Sequence, residues 1–314
     1  MSGARETWPV LDWREWRETA QHLHLMTQIV GKVRLGLAPW QNHGWQVALY
    51  VTARGLTTSP MPAGDCDLQI DFDFIDDRLV LARSDGARHS ILLAPGSIAD
   101  FHAAVLKALG ELGVEVGINP MPSEIADAVP FTQDTRQRAY DADAARRCWR
   151  MLAIADQALA RFRTRFLGKA SPVHFFWGSF DLAMTRFSGR AAPPHPGGVP
   201  NLPDAVTREA YSHEVMSAGF WPGSDTYPRA AFYAYAYPTP QGFADARIAP
   251  DAAGWNAELG EFVLDYDAAR EADDPEEALQ AFFQSAYDAA ADLGDWDRAA
   301  LDCPPGVPGR PRLV

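Results

Sequence analysis

Four side chains in the second half of the chain have the chemistry for proton transfer or metal binding: Asp181, Glu214, His174 and His213. An acid beside a histidine suits general acid–base catalysis, because burial raises the pKa of a carboxyl group toward neutrality. The side-chain nitrogen and oxygen atoms of these four residues could also bind zinc, iron or manganese. The spacing of the residues in the sequence, however, matches no diagnostic metal-binding motif. We therefore predict these four residues as the catalytic candidates, assign no metal ligands, and leave both acid–base and metal-assisted chemistry open.

A structural role is the alternative for the same residues. Asp181 would then pair with Arg186 or cap a turn, and His174 would donate to a backbone carbonyl. His213 and Glu214 are adjacent, so in a regular strand their side chains point to opposite faces and cannot both reach one ion. The candidate binding residues are bases and aromatic side chains of the same segments: Arg186, Arg190, Trp177, Trp221 and Tyr235.

The elements that would position these residues follow from apolar periodicity. Helical spacing predicts long helices over residues 12–33 and 142–166, and capping residues at Ser97 and Asp274 predict a further helix in each half. Between the helices, alternating apolar residues and an Asp-Gly turn predict strands. In the second half the strand-like runs cover residues 173–187, 213–221, 230–237 and 260–266. This order predicts an α+β fold of two α-β4-α lobes, with mainly antiparallel sheets and helices on one face.

Matching landmarks in the two halves predict an internal duplication. Trp16 and Pro39 are 23 residues apart, as are Trp149 and Pro172. The predicted domains are a first lobe over residues 1–125, a second lobe over residues 126–302 and a flexible tail over residues 303–314. By the glycine spacing, Asp181 stands where the first lobe has the apolar Val47. We therefore expect Asp181 to face a cavity or a polar network.

Composition limits the classes of partner. The chain has 41 acidic and 28 basic residues, a net charge of −13, which disfavours nucleic acid and anionic membranes as partners. It has no visible signal peptide, no apolar run long enough to span a bilayer, and three scattered cysteines that suit a reducing compartment. We expect a soluble, cytoplasmic protein.

Three longer stretches resemble a known family. They are GWQVALYVTARGLTTSPMP (44–62), SPVHFFWGSFDLAMTRFSGR (171–190) and SHEVMSAGFWPG (212–223). Together they resemble a bacterial family described only as a domain of unknown function, number fifty-nine ninety-six. The resemblance runs from about Trp8 to Gly294 and implies one integrated protein; it implies no activity, substrate or cofactor.

Two functions remain open from the sequence. The first is a small-molecule-binding protein or enzyme, with a polar pocket in the second lobe or between the lobes. The second is a non-catalytic binding or scaffold protein whose polar cluster fixes the fold. A functional cluster should be reachable from solvent, whereas a structural network should be sealed and fully hydrogen-bonded. The cofactor and the oligomeric state are left open.

Overall fold

The first half of the chain is a helix, a six-stranded sheet and a second helix in the computed structural model, which describes residues 8–312. Helix α1 (Trp13–Leu37) begins where the Asp12 side chain accepts a hydrogen bond from the Arg14 amide. Helix α2 (Ile98–Glu111) is capped by Ser97, as predicted, through the Asp100 amide. The strands between them are β1 (Tyr50–Val51), β2 (Gly55–Thr57), β3 (Met61–Ala63), β4 (Cys66–Asp73), β5 (Arg78–Arg83) and β6 (Arg88–Leu92). They are antiparallel in the order β1-β2-β4-β5-β6, and β3 also pairs with β4.

The second half repeats the arrangement of helix, antiparallel sheet and helix. It begins with α3 (Ala142–Arg163), and a short helix α4 (Asp204–Ala210) interrupts the sheet strands. The strands are β7 (His174–Phe176), β8 (Asp181–Ala191), β9 (His213–Trp221), β10 (Ala231–Tyr237), β11 (Gly254–Asn256) and β12 (Glu261–Asp265), in the order β11-β12-β10-β9-β8-β7. The chain then forms α5 (Tyr266–Arg270), α6 (Pro275–Leu293) and α7 (Arg298–Leu301).

The α+β class is confirmed, but each sheet has six strands rather than four. One reason lies in residues 173–187, where the backbone turns between β7 and β8. Phe180 has a positive φ of 61° there, and its amide bonds to the Phe176 carbonyl over 2.8 Å. The turn residues are mostly apolar, so the sequence pattern does not separate them from the strands. The internal duplication and the lobe boundaries stay predictions.

The tail from Cys303 onward packs beside the end of α3. The Cys303 amide donates to the Arg165 carbonyl over 3.1 Å, and the Arg312 guanidinium donates to the Thr164 carbonyl. Residues 313 and 314 of the predicted tail, and residues 1–7 of the predicted first lobe, lie outside the described residues. Within the described part of the chain, no helix is both long and apolar enough to cross a membrane.

The position of the hydrophobic core leaves one face of the second sheet open. Helices α3 and α6 pack on β8, β9 and β10, and their shared core continues into the first half. The two sheets meet at an edge, where Leu49 and Phe175 exchange both backbone hydrogen bonds at 2.9 Å. Strands β8, β9 and β10 have a second face, which α3 and α6 do not cover. This second face points toward residues of the first half.

Candidate functional site

A cavity of about 470 Å³ lies on this open face of the second sheet. Side chains alternate between the two faces of a strand, so every second residue of each strand reaches the cavity. The strand residues that line it are Phe176 of β7, Asp181, Ala183, Thr185 and Phe187 of β8, Val215 and Ser217 of β9, and Tyr233 and Tyr235 of β10.

The other walls come from both halves of the chain. Helix α1 contributes Lys32 and Leu35, and the segment before β1 contributes residues 40 and 43–47. The connection between β8 and β9 forms a roof that includes α4. The roof is fixed to the first half, because Trp40 donates to Glu209 over 3.0 Å and the Glu124 amide donates to the Pro200 carbonyl over 2.8 Å. The cavity thus lies between the two halves.

Asp181 is the buried acid of this cavity. Asp181 is only 7% exposed, and its carboxylate accepts hydrogen bonds from the Ser179 and Tyr233 hydroxyls. Burial raises the pKa of Asp181, and the two hydroxyl hydrogen bonds oppose that rise. Tyr233 stands on β10, so its hydroxyl crosses the whole of β9 to reach Asp181.

Gly219 makes this crossing possible. It lies opposite both Ala183 of β8 and Tyr233 of β10 in the paired strands. A Cβ atom at Gly219 would lie 2.2 Å from the ring carbon that carries the Tyr233 hydroxyl. A larger residue would therefore displace the phenol, so Gly219 provides the space through which Tyr233 reaches Asp181.

Glu124 brings a second carboxyl group to the cavity. Its pKa is raised to about 7, first by loss of hydration and second by the negative charge of Asp181. Glu124 stays exposed to solvent on the cavity wall, so the neighbouring protein atoms remove only part of its hydration. It lies directly against the Gly178 backbone, since a Cβ atom there would be 1.9 Å from the Glu124 Oε1 atom.

Helix α1 fixes the backbone beside Glu124. The Gln28 Oε1 atom accepts from the Ser123 amide over 2.7 Å, and the Gln28 Nε2 atom donates to the Ser123 carbonyl over 2.9 Å. Glu124 itself has a positive φ of 63°, which costs energy for a residue with a side chain. These hydrogen bonds hold the segment in that conformation.

Two phenols also line the cavity, and a third acid, Glu261, lies near it without lining it. Burial, with Asp181 as a lesser cause, raises the pKa of Glu261 on β12 to about 7. The Tyr211 and Tyr235 hydroxyls are hydrogen-bonded at 2.7 Å, and burial raises the pKa of Tyr211 to about 12. At neutral pH these phenols are neutral donors. The negative charge of Asp181 opposes ionisation of both glutamates, so they hold their protons to a higher pH than ordinary carboxyl groups do.

The two predicted histidines do not join Asp181 at the cavity surface. His174 shares the sheet face of Ala183, but Trp45 and Tyr50 cover it with ring centroids 5.5 and 5.7 Å away. Burial lowers the pKa of His174 to about 4, so the ring is neutral. His213 lies next to His43, with ring centroids 5.7 Å apart. Neither histidine lines the cavity.

Glu214 and Arg190 form an ion pair on the opposite face of the sheet. Arg190 donates to the Glu214 carboxylate over 2.7 Å and to the Asp295 carbonyl over 2.9 Å. Ser188 also donates to Glu214, over 2.8 Å. The pair therefore ties the ends of β8 and β9 to the end of α6, and Glu214 and Asp181 are not neighbours.

Arg186 also points away from the cavity. It is fully buried, with its guanidinium carbon 3.6 Å from the Phe162 ring centroid and 4.3 Å from that of Tyr287. It donates to the Phe162 carbonyl. Residues 181 and 186 are five apart in one strand and so lie on opposite faces. The ion pair that the structural alternative required between Asp181 and Arg186 does not form.

Two of the five predicted binding residues do line the cavity, namely Trp177 and Tyr235. The Trp177 indole donates to the Val47 carbonyl over 2.8 Å. Trp221 lies elsewhere, beside Tyr227 with ring centroids 5.7 Å apart. Over residues 8–312, no three His, Cys, Asp or Glu side chains are placed to hold a metal ion.

Sequence reasoning missed the contribution of α1. His24, Gln28 and Lys32 are four residues apart and so lie on one face of the helix. His24 contacts the Gly178 carbonyl over 2.9 Å, Gln28 holds Ser123, and the Lys32 Nζ atom donates to the Ser123 hydroxyl over 3.0 Å. A stripe of polar residues beside the apolar face of this helix is the signal that would have identified them.

Comparison with known proteins gives a family and nothing further. Residues 8–303 match a family of unknown function (DUF5996). No curated protein matches the chain, and no solved structure matches it.

Proposed function

The chain belongs to the DUF5996 family, whose function is unknown, and from its cavity we propose that it binds a small organic molecule and transfers a proton to or from it. Asp181 would be the residue that contacts the reacting group. Glu124 would exchange the proton with solvent or ligand.

The observation that carries this proposal is the environment of Asp181. A buried carboxyl group costs several kcal/mol unless it is paired or protonated. Within the described residues, Asp181 has hydroxyl donors but no Lys or Arg partner, and it faces a cavity. A carboxyl group that only stabilised the fold would be expected to have a cation or to be sealed. The cavity beside it supports a functional role.

Two carboxyl groups with different surroundings suit acid–base chemistry. At neutral pH the Glu124 group, with its pKa of about 7, is both a proton donor and a proton acceptor. Asp181, held by Ser179 and Tyr233, has a fixed orientation toward the cavity. Environments that separate the ionisation of two neighbouring carboxyls allow one to act as acid and the other as base.

The walls indicate the kind of ligand. Trp45, Trp177 and Phe187 offer apolar faces, so the ligand should have an apolar or flat body. The acidic floor disfavours a carboxylate or phosphate at the same place, since like charges repel in a poorly hydrated site. We therefore expect a neutral or cationic molecule that fits within about 470 Å³.

A ligand screen with matched variants tests the proposal. Compounds that raise the Tm of the wild-type protein would be measured by calorimetry against Asp181→Asn and against Asp156→Asn. Asp156 is a suitable control because burial raises its pKa to about 6, yet it lies on α3 outside the cavity lining. We expect Asp156→Asn to bind like the wild type and Asp181→Asn to lose about tenfold or more in affinity, the worth of one hydrogen bond to a charged group. Equal binding by all three proteins would contradict the proposal.

A further inference from the structure

Lys32 is an unusual residue in this chain. The protein has only three lysines among its 28 basic residues, so arginine supplies almost all of its positive charge. Lys107 and Lys169 are exposed, whereas Lys32 is 5% exposed and lines the cavity. Burial of an ammonium group is costly, so a buried lysine needs an explanation.

Burial makes the ammonium form of Lys32 less favourable than it is in water. Its Nζ atom donates to the Ser123 hydroxyl over 3.0 Å and lies 5.5 Å from the Trp177 ring centroid. Within residues 8–312 it forms no ion pair, and burial is what lowers its pKa. An amine that is desolvated and without a carboxylate partner is the usual form of a nucleophilic lysine.

Trp177 is placed against the helix because of Gly31. A Cβ atom at Gly31 would lie 2.2 Å from the Trp177 indole ring, so only glycine lets the ring pack directly on α1. The indole then covers the turn that carries Lys32 and excludes water from one side of the amine. Its own N–H is occupied by the Val47 carbonyl.

We propose that Lys32 forms an imine with an aldehyde or ketone bound in this cavity, an inference that rests on the proposed function. The Nζ lone pair would attack the carbonyl carbon, and a proton would move from the nitrogen to the oxygen to give a carbinolamine. The carbinolamine hydroxyl would take a proton from a protonated cavity carboxyl group and leave as water, and a protonated imine would form beside the resulting carboxylate. Glu124 follows Ser123 in the chain and lines the same cavity as Lys32, so it is the donor we assign.

The same arrangement selects the carbonyl compound. The acidic floor disfavours a 2-oxo acid, whose carboxylate would meet Asp181. The Trp45 and Trp177 faces favour an aromatic or branched aliphatic body. The substrate class is therefore a neutral or cationic aldehyde or ketone.

Reductive trapping tests this inference on the full chain. The protein would be incubated with benzaldehyde and sodium cyanoborohydride near neutral pH, where the hydride converts an imine into a stable secondary amine. Peptide mass spectrometry would then locate the benzyl group among the three lysines. We expect Lys32 to be modified faster than Lys107, whose Nζ atom is paired with Glu111 at 3.2 Å, and faster than Lys169. The Lys32→Arg and Lys32→Met variants should lose that label and keep the slow labelling of Lys107.

The outcomes separate this inference from the proposed function. Modification of Lys107 or Lys169 at the same rate as Lys32, or faster, would overturn the role of Lys32. If ligands from the screen still depend on Asp181, the proposed function would survive that result. If the screen yields no ligand that depends on Asp181 and Lys32 is unreactive, both proposals fail.

Discussion

Tyr233 on β10 donates its phenolic hydrogen to Asp181 on β8, over the bare Cα atom of Gly219 in the strand between them. This relationship joins three strands through side chains on the cavity face. It also orients a buried carboxylate that has no cation beside it. Substitution of any of the three residues should therefore disturb the cavity face of the sheet more than the core on its other face.

Replacing Gly219 by Ala should destabilise the protein and break this hydrogen bond. The new Cβ atom would lie 2.2 Å from the Leu182 carbonyl oxygen as well as from the Tyr233 ring, so the backbone must also move. Overpacking of this kind costs about 1–3 kcal/mol, which urea unfolding would measure. Gly254→Ala on β11 is the matched control, because no atom lies within 4 Å of its added Cβ. Equal stability of the two variants would show that Tyr233 does not depend on this gap.

Replacing Gly178 by Ala should disturb the site without unfolding the protein. The atom nearest to the new Cβ is the Glu124 Oε1 atom, at 1.9 Å, and it belongs to the end of a flexible side chain. The carboxylate can therefore swing away from its position at little cost in stability. We expect an unchanged Tm within a few degrees and weaker binding of any ligand that depends on Asp181. Unchanged affinity would remove Glu124 from the binding site.

The pH dependence of stability should reveal the two raised carboxyl groups. Glu124 and Glu261 have a pKa of about 7 in the folded protein against 4.5 ordinarily, so the folded state holds their protons more tightly. Their contribution to stability is complete below about pH 4.5 and is lost as the pH rises through about 7. His22, His24 and His174, each with a pKa lowered from 6.5 to about 4, act in the opposite direction, because they destabilise the folded state as the pH falls from about 6.5 to about 4.

The comparison of variants isolates the carboxyl contribution from that of the histidines. The free energy of unfolding of Glu124→Gln or Glu261→Gln, relative to wild type, should rise between pH 5 and pH 8. Glu258→Gln is the control, since Glu258 is exposed on the hairpin that carries Glu261. Urea unfolding at several pH values measures these differences. A difference that does not change with pH would mean that neither acid retains a proton near neutrality.

Replacing Arg186 by Met should leave ligand binding intact. The guanidinium lies on the helix side of β8, among Phe162, Phe166 and Tyr287, and has no acid partner within the described residues. Exchanging a buried charge for an apolar side chain of similar length is often neutral or stabilising. We expect a free energy of unfolding equal to or above that of wild type. A loss of about 2 kcal/mol or more would show that the ring contacts and the Phe162 hydrogen bond outweigh the cost of burial.

The sequence predicted the facing of Asp181 but not its partners. The match of Asp181 to the apolar Val47 by glycine spacing, together with its apolar neighbours Phe180 and Leu182, predicted a buried polar position, and the residue is 7% exposed. Glu124 lies in a proline-rich connection without periodicity, and it reaches the site through Gln28 and Pro200, which are distant in sequence. No local pattern encodes such contacts.

For Arg186 the strand pattern indicated the correct face, but the residue type suggested the wrong role. Alternation along β8 puts it on the core face with Leu182 and Met184, yet its charge suggested a ligand contact. Residue type alone favours a solvated position for arginine. The aromatic rings that accept its guanidinium come from α3 and α6, and the sequence gives no register between those helices and the sheet.

A carbon NMR titration of the Asp181 and Glu124 carboxyl groups tests the central claim most directly. In the wild type we expect Glu124 to titrate at about pH 7 and Asp181 above its ordinary pKa. In Asp181→Asn the pKa of Glu124 should fall, because one negative charge is gone, but stay above 4.5, because burial is the larger cause. If both groups titrate at ordinary values, and Glu124 does not respond to Asp181→Asn, the two acids do not share a poorly hydrated cavity.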